Sequence, residues 1–474
     1  AVLVSSCPLL AATANFTTTP GSDYATASNW STGLIPGNGN TDEPRIGQSN
    51  TASAVYNTAT GYTTTSRFLI GYLGGGNGSL TMNAGAGTLT FGGNNFGAAN
   101  YVGVDRGTGS LTMNAGTITL TGAAGLNIGC NTATATGTVT VNTGATINVG
   151  SRALIGANSG ANFGTLTLNG GTVNVGTGGA VGLGGDQYGV LRVGTGTTSL
   201  NLNSGLLSLY SFQSDSTDAA KTLVNFNGAT VQARGDNAIF FTNSVGTGVG
   251  TYTTRVQAGG AIFDTNGYNI GVGTDLVADT GSPGGGLTKL GAGTLTLSGA
   301  NAYTGNTVVR SGALKVTGSM TGSASGTRFI VGGGAGNNGS MIFDMGAGAA
   351  TFYADGYGNS CDIGENGGTG SLTLDSGTLN VLTRTSGSNG SIRLGTNGAA
   401  NGSLTVNGGA LNLPGRILMA ANNATSVASL TLNGGEINLG TAGLGSYSDP
   451  GLGLLWTGNG TSTINLNGGT LSLY

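Results

Sequence analysis

The chain contains no histidine, only three cysteines, and few charges: 15 Lys plus Arg and 18 Asp plus Glu among 474 residues. Each shortage closes off a class of function. Binding nucleic acid requires clustered Lys and Arg to neutralise phosphates, and no basic stripe exists here. The same lack excludes a polybasic membrane patch. No run reaches the 18 or so apolar residues of a membrane-spanning helix, so no membrane insertion is expected. Cys7, Cys130 and Cys361 have no metal-like spacing, and an odd count makes no disulfide framework. Cys130 and Cys361 are expected to be small buried or half-buried fillers, and no cofactor or metal is implied. Helix is also nearly absent, because no long window spaces its apolar residues by three and four and the abundant Gly and Thr are poor helix formers.

What is present is repetition. Residues 67 to 210 return in weakened form at 328 to 474: Arg67-Phe68-Leu69-Ile70-Gly71 answers to Arg328-Phe329-Ile330-Val331-Gly332, and the offset drifts only from 261 to 264 along the block. Both copies are built from a shorter line of the type Ser/Thr-Leu-Thr-Leu-Asn-Gly-Gly. It starts at Ser79, Ser110, Thr138, Thr165 and Ser199, then at Ser340, Ser371, Ser403, Ser429 and Thr463, at spacings of 26 to 34 residues. Periods of this length mark arrays in which a unit buries its apolar face only against its neighbours.

Within one period the pattern alternates. Leu166, Leu168, Val173 and Val175 are apolar, while Thr165, Thr167, Asn169, Thr172 and Asn174 are polar, which is a strand with one dry and one wet face. Gly170-Gly171 supplies a sharp corner, and Ala153-Leu154-Ile155-Gly156 is a further short strand. Three strands and three corners in about 30 residues are too few for a four-stranded propeller blade. The expected fold is all-β: a right-handed parallel β-helix, or β-solenoid, with about three short strands per coil. Its surface should be a carpet of Thr, Ser, Asn and Gly.

The organisation reads as an N-terminal segment and cap at 1–66, where Trp30, Pro20, Pro36 and Pro44 replace the short line. A first module follows at 67–327, and a second, incomplete one at 328–474. Residues 1–14 are apolar. Ala12-Thr13-Ala14 matches a signal-peptidase site and Val4-Ser5-Ser6-Cys7 loosely matches a lipobox, so the chain is expected to be processed or part of a longer one.

Between the two copies lies Gly286-Leu287-Thr288-Lys289-Leu290-Gly291-Ala292-Gly293-Thr294-Leu295-Thr296-Leu297-Ser298-Gly299, followed by Asn301-Ala302-Tyr303-Thr304-Gly305-Asn306-Thr307 and Ser311-Gly312-Ala313-Leu314. This stretch, 286–316, closely resembles the autotransporter-associated β-strand repeat, also called the passenger-associated transport repeat. The resemblance covers about 30 residues tightly and the rest in style. It implies a secreted, surface-displayed β-helix of a Gram-negative type of bacterium, with passengers that are commonly adhesins or structural surface proteins. Autotransporters end in a translocator barrel, whereas this sequence stops at Tyr474, the counterpart of Tyr210 in mid-module. Either a longer parent or a partner for the open coil is therefore expected.

Enzyme chemistry on such a fold would need paired carboxylates, or a Lys or Arg base with acidic calcium ligands, on one face. Asp344 and Asp375 replace Asn83 and Asn114 at a corner of the short line and read as turn residues. Asp362 with Glu365, opposite Tyr101 and Val104, is the best acidic pair, and no catalytic residue is assigned. Gly-rich strings such as 74–78 and 332–336 lack the following helix of a nucleotide site, and Thr or Asn stands where a calcium repeat needs Asp. The expectation is a non-enzymatic extracellular structural subunit assembling head to tail, its N-terminal segment (Leu3, Val4, Leu9, Leu10) docking on the last strand (Leu471, Leu473, Tyr474). The alternatives are an adhesin passenger binding surface glycans and, behind it, a polysaccharide-cleaving enzyme.

Overall fold

A computed structural model describes residues 12–17, 20–93, 99–131, 134–157, 159–182, 188–241, 251–322, 327–354, 360–382, 391–440 and 453–473. The chain divides into two compact units, Ala1–Val224 with Ser244–Tyr252, and Asn225–Asn243 with Thr253–Tyr474. Among the described residues, nearly all regular structure is strand, and one 3-10 turn, Ala27–Asn29, is the exception.

In the first unit the chain winds through three faces per coil. One coil is Leu69–Tyr72, Asn77–Met82 and Thr88–Phe91; the next is Asn100–Val104, Thr108–Met113 and Gly116–Leu120; a third is Leu126–Cys130, Thr136–Asn142 and Ala145–Val149. Each strand pairs in parallel with its equivalents one coil away. Leu69 faces Tyr101, Leu80 faces Leu111, and Leu89 faces Ile118, so like residues stack on like. The first face continues through Ala153–Ile155, Val190–Val193 and Ser211–Ser214, and the long strands Phe163–Val175 and Thr197–Leu209 run across the other two. The second unit repeats the plan with Phe329–Gly333, Cys361–Glu365, Ser391–Thr396, Arg416–Met419 and Leu455–Thr457 on the first face, and Asn338–Tyr353 and Thr369–Leu382 spanning the others. The fold is a parallel β-solenoid.

The alternation read from the sequence explains the core. In the first unit Leu80, Leu111, Val139, Leu166 and Leu200 form one buried row, and Met82, Met113, Val141, Leu168 and Leu202 form the next. Met341, Leu372, Leu404 and Leu430 do the same in the second. Burying such a side chain is worth about 1.5–3 kcal/mol, which is how coils with no stable existence alone are held together.

The outward side chains are joined along the stack. Asn114 donates its amide to Asn83, Asn142 to Asn114, Asn169 to Asn142 and Asn203 to Asn169, at 2.9, 2.7, 3.3 and 2.9 Å. The second unit carries the same ladder in Asn467 to Asn433, Asn433 to Asn407 and Asn407 to Asp375, each at 2.8 Å. Every link runs from the later coil to the earlier. A carboxylate only accepts, so Asp375 fits at the head of the row. Asp344 likewise accepts from Ser376 at 3.0 Å and pairs with Lys315 at 3.0 Å. Sequence reading makes both aspartates turn residues; the structure places them within the long strands Asn338–Tyr353 and Thr369–Leu382, at the register shift between Phe343 and Asp344 and its neighbour in the next coil.

Residues 12–66 carry no short line but join the stack. Thr13–Asn15 pairs with Glu43–Gln48, and Thr51–Tyr56 pairs with Asn77–Met82. Phe16, Tyr24, Trp30, Tyr56 and Tyr62 form a cluster of mostly edge-to-face rings, with the buried Trp30 Nε1 donating to the Tyr24 carbonyl at 2.8 Å. These rings fill the interior in place of aliphatic rows.

Candidate functional site: the outer strip of the first face

Strands of the first face share a kink. Gly103 has φ +73°, and a Cβ there would fall on the Thr136 carbonyl of the neighbouring strand, so only glycine fits. The turn carries the side chains before and after it to the same side, away from the central core. Two residues per coil therefore line a strip outside the core. In the first unit the strip is apolar: Leu69, Tyr101, Val104, Cys130, Leu154 and Ala157 form a buried cluster of their own, with Tyr72 against it. Guanidinium groups lie over its rings, Arg45 at 5.1 Å from the Tyr72 centroid and Arg67 at 5.8 Å from that of Tyr101. Glu43 holds both arginines, at 2.6 and 2.8 Å.

In the second unit charged side chains take three of these positions, and one position goes the other way. Asp362 stands where Tyr101 does, Glu365 for Val104, Arg393 for Asn127 and Trp456 for Arg192. Asp362 is fully buried between Arg328 at 3.0 Å and Arg393 at 2.5 Å, and Arg393 also reaches Glu365 at 3.4 Å. Burial first, and then the neighbouring Asp362 carboxylate, pushes the Glu365 carboxyl above its usual range. The best acidic pair in the sequence is thus drawn together by the fold, but as the centre of an ion-pair network with both Asp362 oxygens engaged. Among the described residues no group of three or more His, Cys, Asp or Glu could hold a metal ion.

Beyond Arg393 the strip opens into a cavity of about 190 Å³ lined by Arg393, Leu418, Ala421, Asn422, Trp456 and Asn459, among others. Trp456 is 49% exposed, and the buried Arg416 lies 5.8 Å from its ring centroid. At the position equivalent to Trp456 the first unit has Arg192, bonded to Asp215 at 2.6 Å.

The arginines are what sequence reading missed. Arg67 and Arg328, and Arg152 and Arg416, occupy equal positions in the two copies, and all four belong to the first face. Their spacing along the chain is that of whole coils, so they look isolated until the solenoid stacks them.

Lys289 was missed as well. It lies within the motif at 286–316 and is fully buried, its Nζ donating to Thr265 Oγ1 at 3.1 Å and to the carbonyls of Leu290, Gly291 and Ser311 at 2.8, 2.7 and 3.0 Å. Burial lowers its pKa to about 8, against an opposing pull from Asp264. It pairs with Phe263 and Val309 of adjacent coils, so the cage joins three coils. The signal was available: Lys289 shares parity with Leu287, an inward residue.

Cys130 and Cys361 are free and buried, as expected of fillers. Leu471 and Leu473 lie on Thr470–Leu473, which pairs with Glu436–Leu439, and Leu473 is exposed. Leu3, Val4, Leu9, Leu10, Cys7 and Tyr474 fall outside the described residues.

The class that fold and strip define is a parallel β-solenoid built from duplicated scaffold. Within it, residues 287–316 match the family model of the Passenger-associated-transport-repeat, so the chain carries the repeat that its motif resembles. No curated protein and no solved structure matches the chain.

Proposed function

We propose that this chain is passenger sequence of the autotransporter type: a non-enzymatic β-solenoid displayed on a bacterial cell surface, where it acts as a stiff structural scaffold. One observation carries the reading. The matched repeat is no appendage but coils of the stack, with Leu287–Leu290 pairing with Ala261–Asp264 on one side and Thr307–Val309 on the other, and Thr294–Leu297 pairing with Ile270–Val272 and with Ser311–Val316. A segment associated with passage through the outer membrane is here part of the structure that passes. The test is to place the chain ahead of a translocator barrel in a Gram-negative host and treat intact cells with protease. Release of the chain from whole cells is expected, and loss of release when 287–316 is exchanged for a second copy of residues 401–432, a coil and the first strand of the next. A chain that stays protected inside intact cells contradicts the proposal.

Head-to-tail assembly is a second reading. Ile464, Leu466 and Leu473 are exposed, whereas Leu430, Leu432 and Leu439, their partners one coil earlier, are buried. A strand laid on 461–473 covers them, and we propose the N-terminal segment of a second copy as that strand. Sedimentation should then show elongated oligomers that vanish when residues 1–14 are removed. A chain that stays monomeric at high concentration, or oligomers indifferent to the deletion, sinks this reading.

A further inference from the structure

We infer that the outward asparagine ladder is a chemical shield, and that Asn38, which stands outside it, is the modification site at which the folded chain deamidates. The sequence sets the problem. Asparagine directly precedes glycine at Asn38, Asn169, Asn266, Asn407 and Asn433, among others, and glycine, with no Cβ, leaves its own amide nitrogen uncrowded. That nitrogen can attack the side chain before it. The glycine N–H gives up its proton as the nitrogen bonds to Asn Cγ, the Cγ–Nδ2 bond breaks, and ammonia leaves. Water then opens the cyclic imide to aspartate or isoaspartate, a reaction that puts asparagine among the thermolabile residues.

Exposure does not separate the sites, because Asn38, Asn169 and Asn407 all face solvent. The difference lies in how each side chain is held. Asn169 donates Nδ2 to Asn142 at 3.3 Å and accepts at Oδ1 from Asn203 at 2.9 Å, while Asn407 donates to Asp375 and accepts from Asn433, both at 2.8 Å. Each is pinned along the stack by its oxygen and its nitrogen. Cγ therefore swings toward the glycine nitrogen only after both bonds are released, and at Asn407 that nitrogen is itself engaged, Gly408 donating to the Leu374 carbonyl at 3.3 Å.

Asn38-Gly39, in the loop before Glu43–Gln48, lacks these restraints. Among the described residues no hydrogen bond holds the Asn38 side chain, and Gly39, at φ +72°, is so open that a Cβ there would meet nothing within 4 Å. Failure inside the ladder carries its own cost. Deamidation at Asn407 would remove its donor and set a second carboxylate against Asp375. This inference goes beyond the scaffold reading and does not rest on it, since it needs only the folded stack.

The test is to hold the full chain at pH 8 and 37 °C, folded and in urea, and to follow aspartate and isoaspartate at each site by peptide mapping. Each site is scored as its folded rate over its rate in urea. Asn38 should react about as fast folded as in urea, and Asn169 and Asn407 about tenfold more slowly, because hydrogen bonds of modest net worth must break first. Variants separate the ladder from the strands that carry it. Asn142→Ala combined with Asn203→Ala should bring Asn169 to the level of Asn38 while Asn407, in the other unit, stays protected; Asn142→Asp, which still accepts as Asp375 does, should keep most of the protection. An intact Asn38, ladder sites that react as fast as Asn38, or an Asn169 still protected in the double variant would each overturn the inference. Loss of protection at Asn169 and Asn407 together would overturn it as well, because folding alone would then be the shield.

Discussion

Replacing Lys289 by Met should turn a pH-dependent stability into one without that component. The buried ammonium has a folded pKa of about 8 and an ordinary value of 10.5. Between those values the unfolded chain keeps a proton that the folded chain has released, so stability rises with pH across this window. The slope approaches 1.36 kcal/mol per pH unit, and the full rise is about 3 kcal/mol. Below about pH 8 both states are protonated and the contribution is flat. Met keeps the length of the side chain and its fit between Phe263 and Val309, but leaves Thr265 and three carbonyls without this donor. The variant is therefore expected to be weaker overall, and the difference between wild type and variant is expected to widen as pH rises from 8 to 10. Taking the difference matters, because the buried cysteines, whose thiols burial pushes up, lose stability above about pH 9 in both proteins. Urea midpoints followed by circular dichroism at pH 7, 8, 9 and 10 make the measurement. A difference that stays level, or shrinks with rising pH, would show that the four acceptors hold the charged amine better than water does, and would refute the reasoning.

Other expectations follow from the strip, the rows and the thiols. Asp362→Asn removes the acceptor charge between Arg328 and Arg393 and should cost about 3 kcal/mol, read as a lowered denaturation midpoint; a shift near zero would mean the pair is solvated. Leu404→Ala, in the buried row between Leu372 and Leu430, should cost about 2–5 kcal/mol, while Thr405→Ala on the wet side of the same strand should stay within about 0.5 kcal/mol. Equal effects at the two sites would contradict the inward and outward assignment. Burial pushes the Cys130 thiol up to about 12 and Cys361 higher still, so neither should react with iodoacetamide at pH 8 until urea is added, as peptide mapping would show.

The fold was legible because its signal is local and repeated: Leu166 and Leu168 alternate with Thr165 and Thr167, the same alternation returns along both copies, and a pattern of period two survives without any knowledge of contacts. Asp344 and Asp375 were legible as outward members of the short line, but not as residues of a continuous strand that shifts register there. The strip was not legible. It depends on a glycine kink that sends two residues per coil to one side, so Arg328, Asp362 and Arg393, each about one coil from the next, meet only after folding. Trp456 looked like one of the few scattered aromatics, and its cavity arises from neighbours at 393 and 418–422. Lys289 shows a different failure: its inward parity was visible, but the backbone carbonyls that satisfy it leave no trace in sequence.

The account rests on in-register coils, and a single distance measures them. Thr81, Thr112, Thr140, Thr167 and Asn201 are successive partners, so residues 81 and 201 stand four strand spacings apart, about 19 Å. Spin labels on cysteines introduced at these two half-exposed positions, with Cys7→Ser and with the buried Cys130 and Cys361 left native, report it by pulsed dipolar spectroscopy. A narrow distribution near that distance is the predicted result. A distance several times longer, or a broad distribution, would contradict the solenoid.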